Sequence, residues 1–269
     1  MKILKGIAYA VLILYGIVLV SLYFLQTRLI FYPGRLSKEF KFKLGDHGEE
    51  VFITTQDGEQ INALFFKGSG PDVILYFHGN AGDLSGWQFV QEDFTEHGYS
   101  ILIIDFRGYG KSSGTISENG FYKDADAALA FLLKEKNYKP EDIIIYGRSI
   151  GTGPAVDLAS CHQTKGLILE SPYASLKKLA NEKLPMLFPG LFLKYHFNNA
   201  EKIKKVKSPV VLIHGSQDTL IPPSHSEQLL KNIQSKKLMV LVPEGSHNDL
   251  SQFSEYQDFL KDTLPGFLE

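Results

Sequence analysis

Cysteine is nearly missing from this sequence: Cys161 is the single one among 269 residues. An intramolecular disulfide is therefore impossible, and a cysteine-built metal cluster is excluded. Charge of one sign is missing too. The chain has 28 basic and 30 acidic residues, a net charge of −2, and no dense basic stripe. That excludes an electrostatic hold on nucleic acid. There is no H-E-x-x-H, and His214, His225 and His247 do not fall at a familiar ligand spacing, so no metal is expected. There is no G-x-x-x-x-G-K-[ST]. The glycines at 108 and 110 follow the wrong strand for a dinucleotide fingerprint, so no cofactor is expected. No N-x-S/T sequon, internal repeat or low-complexity tract is found.

A long apolar run is present. From Gly6 to Thr27 there is no charged residue, and the run is long enough to cross a bilayer as a helix. A secretory signal would have a shorter apolar part and a small-x-small cleavage site. Here the run ends in the bulky Ser21-Leu22-Tyr23-Phe24-Leu25. The expectation is an uncleaved single-pass anchor over 6–27, with a cleaved signal or an internal apolar helix as alternatives. Lys2 and Lys5 before the run oppose Arg28, Arg35, Lys38, Lys41 and Lys43 after it, so the basic residues leave the side of the membrane open. Residues 28–50 read as a juxtamembrane connector, and 51–269 as one large domain.

Within that domain, Val51–Thr54 and Ile61–Phe66 flank Asp57-Gly58, a hairpin signal. The period then changes. Val73–Phe77, Ile101–Ile104, Ile143–Tyr146, Leu167–Leu169, Val210–Ile213 and Leu238–Val242 are short, unbroken apolar runs. Such runs are what strands buried on both faces look like. Helices are predicted over 85–97, 121–136, 151–160, 224–232 and 253–264. The alternation gives an α/β fold, a mostly parallel sheet covered by helices on both faces. The stretch from about 171 to 208 is too long for a plain crossover. With Pro172, Pro185 and Pro189 and five aromatics, it reads as a small lid over the C-terminal edge of the sheet.

One motif carries chemistry. Gly147-Arg148-Ser149-Ile150-Gly151 stands between a predicted strand and a predicted helix. A serine on so sharp a turn needs glycines two residues either side, and the helix start offers free N–H groups to a developing negative charge. A serine nucleophile needs a base. His247 lies on the loop after the last strand, and Asp218 on the loop after Val210–Ile213. Nucleophile, then acid, then base is the chain order that accompanies a nucleophile on a strand-to-helix turn. Glu170 is the runner-up acid. The backbone N–H groups of Asn80, after Val73–Phe77, and of Ile150 are the expected oxyanion donors. His78 and His214 read as structural histidines, and Asp105 and Arg107 as residues that fix a loop.

The sequence resembles the α/β-hydrolase superfamily, and within it the membrane-anchored branch of abhydrolase-domain proteins, bud-emergence (Bem) type and depalmitoylating type. The resemblance runs from about Leu29 to the C-terminus. It rests on Leu29-Ile30-Phe31-Tyr32-Pro33, His78-Gly79-Asn80-Ala81-Gly82, Asp105 to Gly110, Tyr146 to Gly153, His214 to Asp218 and Gly245 to Asp249. It implies an α/β-hydrolase fold, with Ser149 as nucleophile, Asp218 as acid, His247 as base, and the backbones of Asn80 and Ile150 as oxyanion donors. Depalmitoylating relatives carry an N-terminal cysteine cluster; this chain has no cysteine before Cys161. The expected activity is a serine hydrolase cleaving esters or thioesters of small acyl or lipophilic substrates. A peptidase, amidase or perhydrolase on the same triad, and a non-catalytic tethered binding protein, are the rivals.

Overall fold

A computed structural model describes residues 2–268. Its centre is an eight-stranded sheet. In chain order the strands are β1 (Tyr32–Pro33), β2 (Gly48–Thr54), β3 (Gln60–Phe66), β4 (Val73–Phe77), β5 (Ala81–Gly82), β6 (Ser100–Ile104), β7 (Ile143–Arg148), β8 (Gly166–Glu170), β9 (Val210–Gly215) and β10 (Lys237–Val242). The sheet order is β10-β9-β8-β7-β4-β6-β3-β2; β1 and β5 form a separate parallel pair. β3 is antiparallel to β2 and β6, and the neighbours from β6 through β4 to β10 are parallel.

Alternation along each strand feeds two cores. Val73, Leu75 and Phe77 of β4 pack into one, Ile74 and Tyr76 into the other. The first core is closed by helices Glu118–Lys134 and Thr152–Cys161, through Ala125, Ala128, Leu132, Ala155 and Val156. The second is closed by Phe94, Tyr256, Phe259, Leu260 and Leu264. Both faces are thus covered, as the unbroken apolar runs require. The chain leaves β4 to build β6 on one side and returns to build β7 on the other. The C-terminal ends of β4 and β7 therefore flank a switch point, where open α/β sheets bind ligands.

Three expectations need correction. The helix expected over 85–97 is broken into Leu84–Trp87, a 3₁₀ turn at Gln88–Val90, and Gln91–Thr95. The Asp83 side chain caps Ser85 N–H, and Gly86 in the first turn is a poor helix former. The helix expected over 253–264 is Ser254–Asp258, a π turn at Phe259–Thr263, and Leu264–Leu268. Pro265 has no N–H to continue the ladder, so the turn before it widens. Residues 28–50 are not a plain connector. The first helix runs from Lys2 to Ile30, β1 pairs with β5, and β2 begins at Gly48.

The Lys2–Ile30 helix is long and apolar enough to cross a membrane, with a mean hydropathy of 2.4 over its most apolar window, none of which is buried. Its C-terminal half, from Tyr15 on, meets the body. Gln26 is buried there, and Thr27 Oγ lies 2.6 Å from the Tyr195 hydroxyl.

Candidate active site

β7 delivers Gly147 and Arg148 to the sheet edge, and Ser149 follows with φ of +51°, in the left-handed region. A non-glycine residue there costs on the order of 1–3 kcal/mol, held only by its surroundings. Those surroundings are tight. A Cβ on Gly151 would lie 2.2 Å from the Phe77 carbonyl oxygen, and one on Gly147 would lie 2.6 Å from Ala155 Cβ. Both glycines are thus required by close approach of β4 and of the Thr152–Cys161 helix.

The three residues expected as nucleophile, base and acid come together. His247 Nε2 lies 3.0 Å from Ser149 Oγ, and His247 Nδ1 lies 2.7 Å from Asp218 Oδ2. With the ring proton on Nδ1, the imidazole donates to Asp218 and accepts from the serine hydroxyl. All three side chains are buried. Asp218 is held from several sides. Its Oδ1 accepts from the N–H groups of Leu220 and Ile221 at 2.9 Å each, and Oδ2 lies 3.3 Å from His214 Nε2. Burial pushes its carboxyl up, but the hydrogen bonds from His214 and His247 outweigh that and hold it well below the usual carboxylate range. The two loops meet closely, since a Cβ on Gly215 would lie 2.2 Å from the Gly245 carbonyl oxygen.

The loop after β4 faces this row. A Cβ on Gly79 would sit 3.9 Å from Ser149 Cβ. Among the described residues, no acceptor takes the Asn80 N–H, and Ile150 sits in the first turn after the elbow, where helical N–H groups have no partner. The loop is pinned on its far side. Tyr109 donates to the Asn80 carbonyl at 2.9 Å, Trp87 donates to Ala81 at 2.8 Å, and the Asn80 side-chain amide donates to the Ile30 carbonyl.

The remaining candidates are engaged elsewhere. His78 lies between the Gly79 carbonyl, at 2.6 Å, and Asp105, at 3.3 Å, and is stacked on Trp87. Burial pushes the Asp105 carboxyl up, against the pull of His78. Arg107 is consumed by Asp124 and Asp57. Glu170 faces Arg148, not His247: Arg148 Nε donates to Glu170 Oε1 at 3.0 Å.

Sequence reading missed the part Arg148 plays. It pairs with Glu170, lies 5.2 Å from the Trp87 ring centroid, and reaches the His247 carbonyl at 3.5 Å. Glu170 also accepts from the Tyr146 hydroxyl at 2.6 Å, which lies 3.1 Å from the Tyr256 hydroxyl. The signal was the unassigned second position of the G-x-S-x-G, but its partner depends on the β7–β8 register, Arg148 opposite Glu170.

The comparisons agree with this fold. A family described as alpha/beta hydrolase fold matches residues 72–202. Alpha/beta hydrolase domain-containing protein 17B of Homo sapiens is 36% identical over 219 residues, 79% of this chain and 74% of the relative. The chain belongs to the alpha/beta-hydrolase family. This hydrolase is also 34% identical over 228 residues to an uncharacterized protein of Mycobacterium tuberculosis, covering 83% of this chain and 81% of that one. Among solved structures, an esterase of Pyrococcus furiosus is similar with a TM-score of 0.71 at 20% identity, covering 89% of this chain and 96% of that one. Est1E of Butyrivibrio proteoclasticus, solved with ferulic acid bound, is similar with a TM-score of 0.66 at 19% identity, covering 81% and 99%. At these identities, the likeness to solved structures is one of fold.

Proposed function

We propose that this hydrolase is a membrane-anchored serine hydrolase that cleaves esters or thioesters of acyl or otherwise lipophilic substrates. Its parts are an anchor over 6–27, the segment 28–50 that ties anchor to site, and the hydrolase domain 51–269 with a lid over about 171–208. The finer placing in the membrane-anchored branch of the family rests on the apolar helix and on Leu29–Pro33. The esterases among the structural relatives support the ester label.

The observation that carries the reading is the buried row Ser149 Oγ, His247 and Asp218, at 3.0 and 2.7 Å, on a strained turn beside free N–H groups. Ser149 Oγ bonds to the acyl carbon while its proton passes to His247 Nε2. The carbonyl electron pair moves to oxygen, where the N–H groups of Asn80 and Ile150 hold it. Asp218 stabilises the imidazolium. Collapse breaks the bond to the alcohol or thiol, which leaves with the proton from His247. Water then adds to the acyl-enzyme, giving its proton to His247, and the acid departs as Ser149 recovers its hydrogen.

A fluorophosphonate probe tests the core. It should label the native protein covalently and Ser149→Ala not at all. Equal labelling of the two rejects Ser149 as nucleophile. A panel of short acyl esters, thioesters, lipid esters and peptides then tests the substrate class; turnover of peptides alone rejects the esterase reading in favour of a peptidase.

A further inference from the structure

The lid has a tip that the catalytic reading does not use. Between Lys183 and Lys194 the sequence is Leu-Pro-Met-Leu-Phe-Pro-Gly-Leu-Phe-Leu, ten residues without a charge. Several of these point outward. Leu184 is 46% exposed, Phe188 60%, Leu191 81% and Met186 83%. A contiguous exposed apolar patch of this kind marks an interaction surface.

Its position says what it meets. The tip runs alongside the Lys2–Ile30 helix. The Tyr15 hydroxyl donates to the Met186 carbonyl at 3.2 Å, Gln26 takes the Lys194 N–H at 2.6 Å, and the Lys194 ammonium lies 4.3 Å from the Tyr23 ring centroid. The tip and the helix thus form one continuous apolar surface. Lys194 beside Tyr23 marks the level of the headgroups, since a lysine beside an aromatic is an interface pair. Counting back from Tyr23 at 1.5 Å per residue, Lys2 lies about 31 Å away, one hydrocarbon thickness. On the same count Tyr15, and with it Met186, lies about 12 Å below the Lys194 plane, well inside the acyl region of that leaflet.

The backbone is partly prepared for that setting. Pro185 and Pro189 have no N–H. The N–H groups of Leu184, Leu187, Gly190, Leu191 and Phe192 are accepted within the lid, and the Met186 and Phe192 carbonyls accept from Tyr15 and Gln26, whereas the N–H groups of Met186, Phe188 and Leu193 find no acceptor among the described residues. Each polar group met inside the protein lowers the cost of irregular backbone at membrane depth.

We infer that the lid tip, residues 184–193, inserts into one leaflet beside the helix, with Lys183 and Lys194 at the headgroups. The inference rests on the reading of that helix as a membrane span, and not on the chemistry of Ser149. It places the mouth of the site at the bilayer surface, because the Asn80 side chain is tied to Ile30, about 10 Å above the Lys194 plane on the same count.

The test uses the full chain in phosphatidylcholine–phosphatidylglycerol vesicles. In a Cys161→Ser background, a nitrobenzoxadiazole probe is attached at Met186→Cys, Leu191→Cys, Ile13→Cys or the exposed Glu135→Cys. Iodide reports water, and lipids spin-labelled on the acyl chain report hydrocarbon. The expected result is quenching by lipid at 186, 191 and 13, with iodide quenching there reduced roughly threefold or more against 135. Lipid quenching at 13 with iodide quenching at 186 and 191 equal to 135 overturns the inserted tip and leaves the anchor standing. Iodide access at 13 as well overturns both. Shielding of 186 and 191 from both quenchers means a protein covers the tip, and also overturns the inference.

Discussion

Two regions of this hydrolase break the ordinary partition of polar and apolar groups, in opposite directions. At the C-terminal edge of the sheet, Ser149, Asp218, His247 and Glu170 are polar and buried. At the lid tip, Leu184, Met186, Phe188 and Leu191 are apolar and exposed. A buried polar group is costly unless bonded, so the first region is crowded with partners: Asp218 is met by two N–H groups and two imidazoles, Glu170 by Arg148 and Tyr146. An exposed apolar group is costly unless covered, and the second region has few contacts of its own. The first region is completed by its own chain. The second needs surroundings that the chain does not supply.

The contrast predicts that small changes matter greatly at the edge. His247→Ala should lower kcat on a soluble acyl ester by about 10⁴-fold or more, with little loss of thermal stability. Retained activity would show that the 3.0 Å contact with Ser149 has no part in turnover. Gly151→Ala comes next. Its Cβ has no room beside the Phe77 carbonyl oxygen, and a backbone cannot yield as a flexible side chain does. The variant should lose several kcal/mol, on the order of 3, together with probe labelling. Normal unfolding and normal labelling would mean that the elbow has slack.

Arg148→Met should be nearly as costly, about 3 kcal/mol, because it leaves the Glu170 carboxylate buried and unpaired. Arg148→Met combined with Glu170→Met should recover much of that, since an apolar pair carries no desolvation penalty. If the double variant is no better than the single one, the pair is not what fixes this corner. Both effects are read from chemical denaturation midpoints.

Much of the edge was legible in the sequence, and little of the lid was. The strands were legible because runs such as Ile143-Ile144-Ile145-Tyr146 have few other readings. Ser149, Asp218 and His247 were legible because each follows the C-terminal end of a strand, and the loops at that edge of a parallel sheet converge. The partners of Arg148 were not legible, because they depend on register, Arg148 opposite Glu170. The fate of residues 28–50 was hidden for a related reason: β1 is two residues long and its pairing with β5 is a tertiary contact that no local pattern encodes. The ends of helices near Gly86 and Pro265 were blurred because a single residue decides them.

Asp93 gives a smaller effect with a defined sign. Burial, with a further push from Glu170, raises its carboxyl to about 6. The folded protein therefore holds a proton there that the unfolded chain, with an ordinary value near about 3.9, releases. Stability on this account falls as pH rises from about 4 through about 6 and stays lower above it. Asp93→Asn should thus be more stable than the native protein at pH about 7.5, by on the order of 1 kcal/mol after screening by nearby solvent, and equal to it near pH about 4. An advantage that is the same at both pH values would assign the effect to packing rather than charge.

The smallest effect is expected at the lid tip, and it divides the two regions most sharply. Met186→Glu with Leu191→Glu places two charges in an apolar run. Inside the body, such a change would cost several kcal/mol. At these two positions the side chains are more than four-fifths exposed, so no packing is lost and no charge is buried when the protein is held in a mild detergent. Thermal unfolding there should change by about 0.5 kcal/mol or less, and turnover of a soluble ester should match the native protein. The same variant in vesicles should lose activity on an ester carried in the bilayer, because the two carboxylates resist transfer into the acyl region. A large loss of stability in detergent would mean that the tip packs on its own domain, and the two regions would then obey one rule.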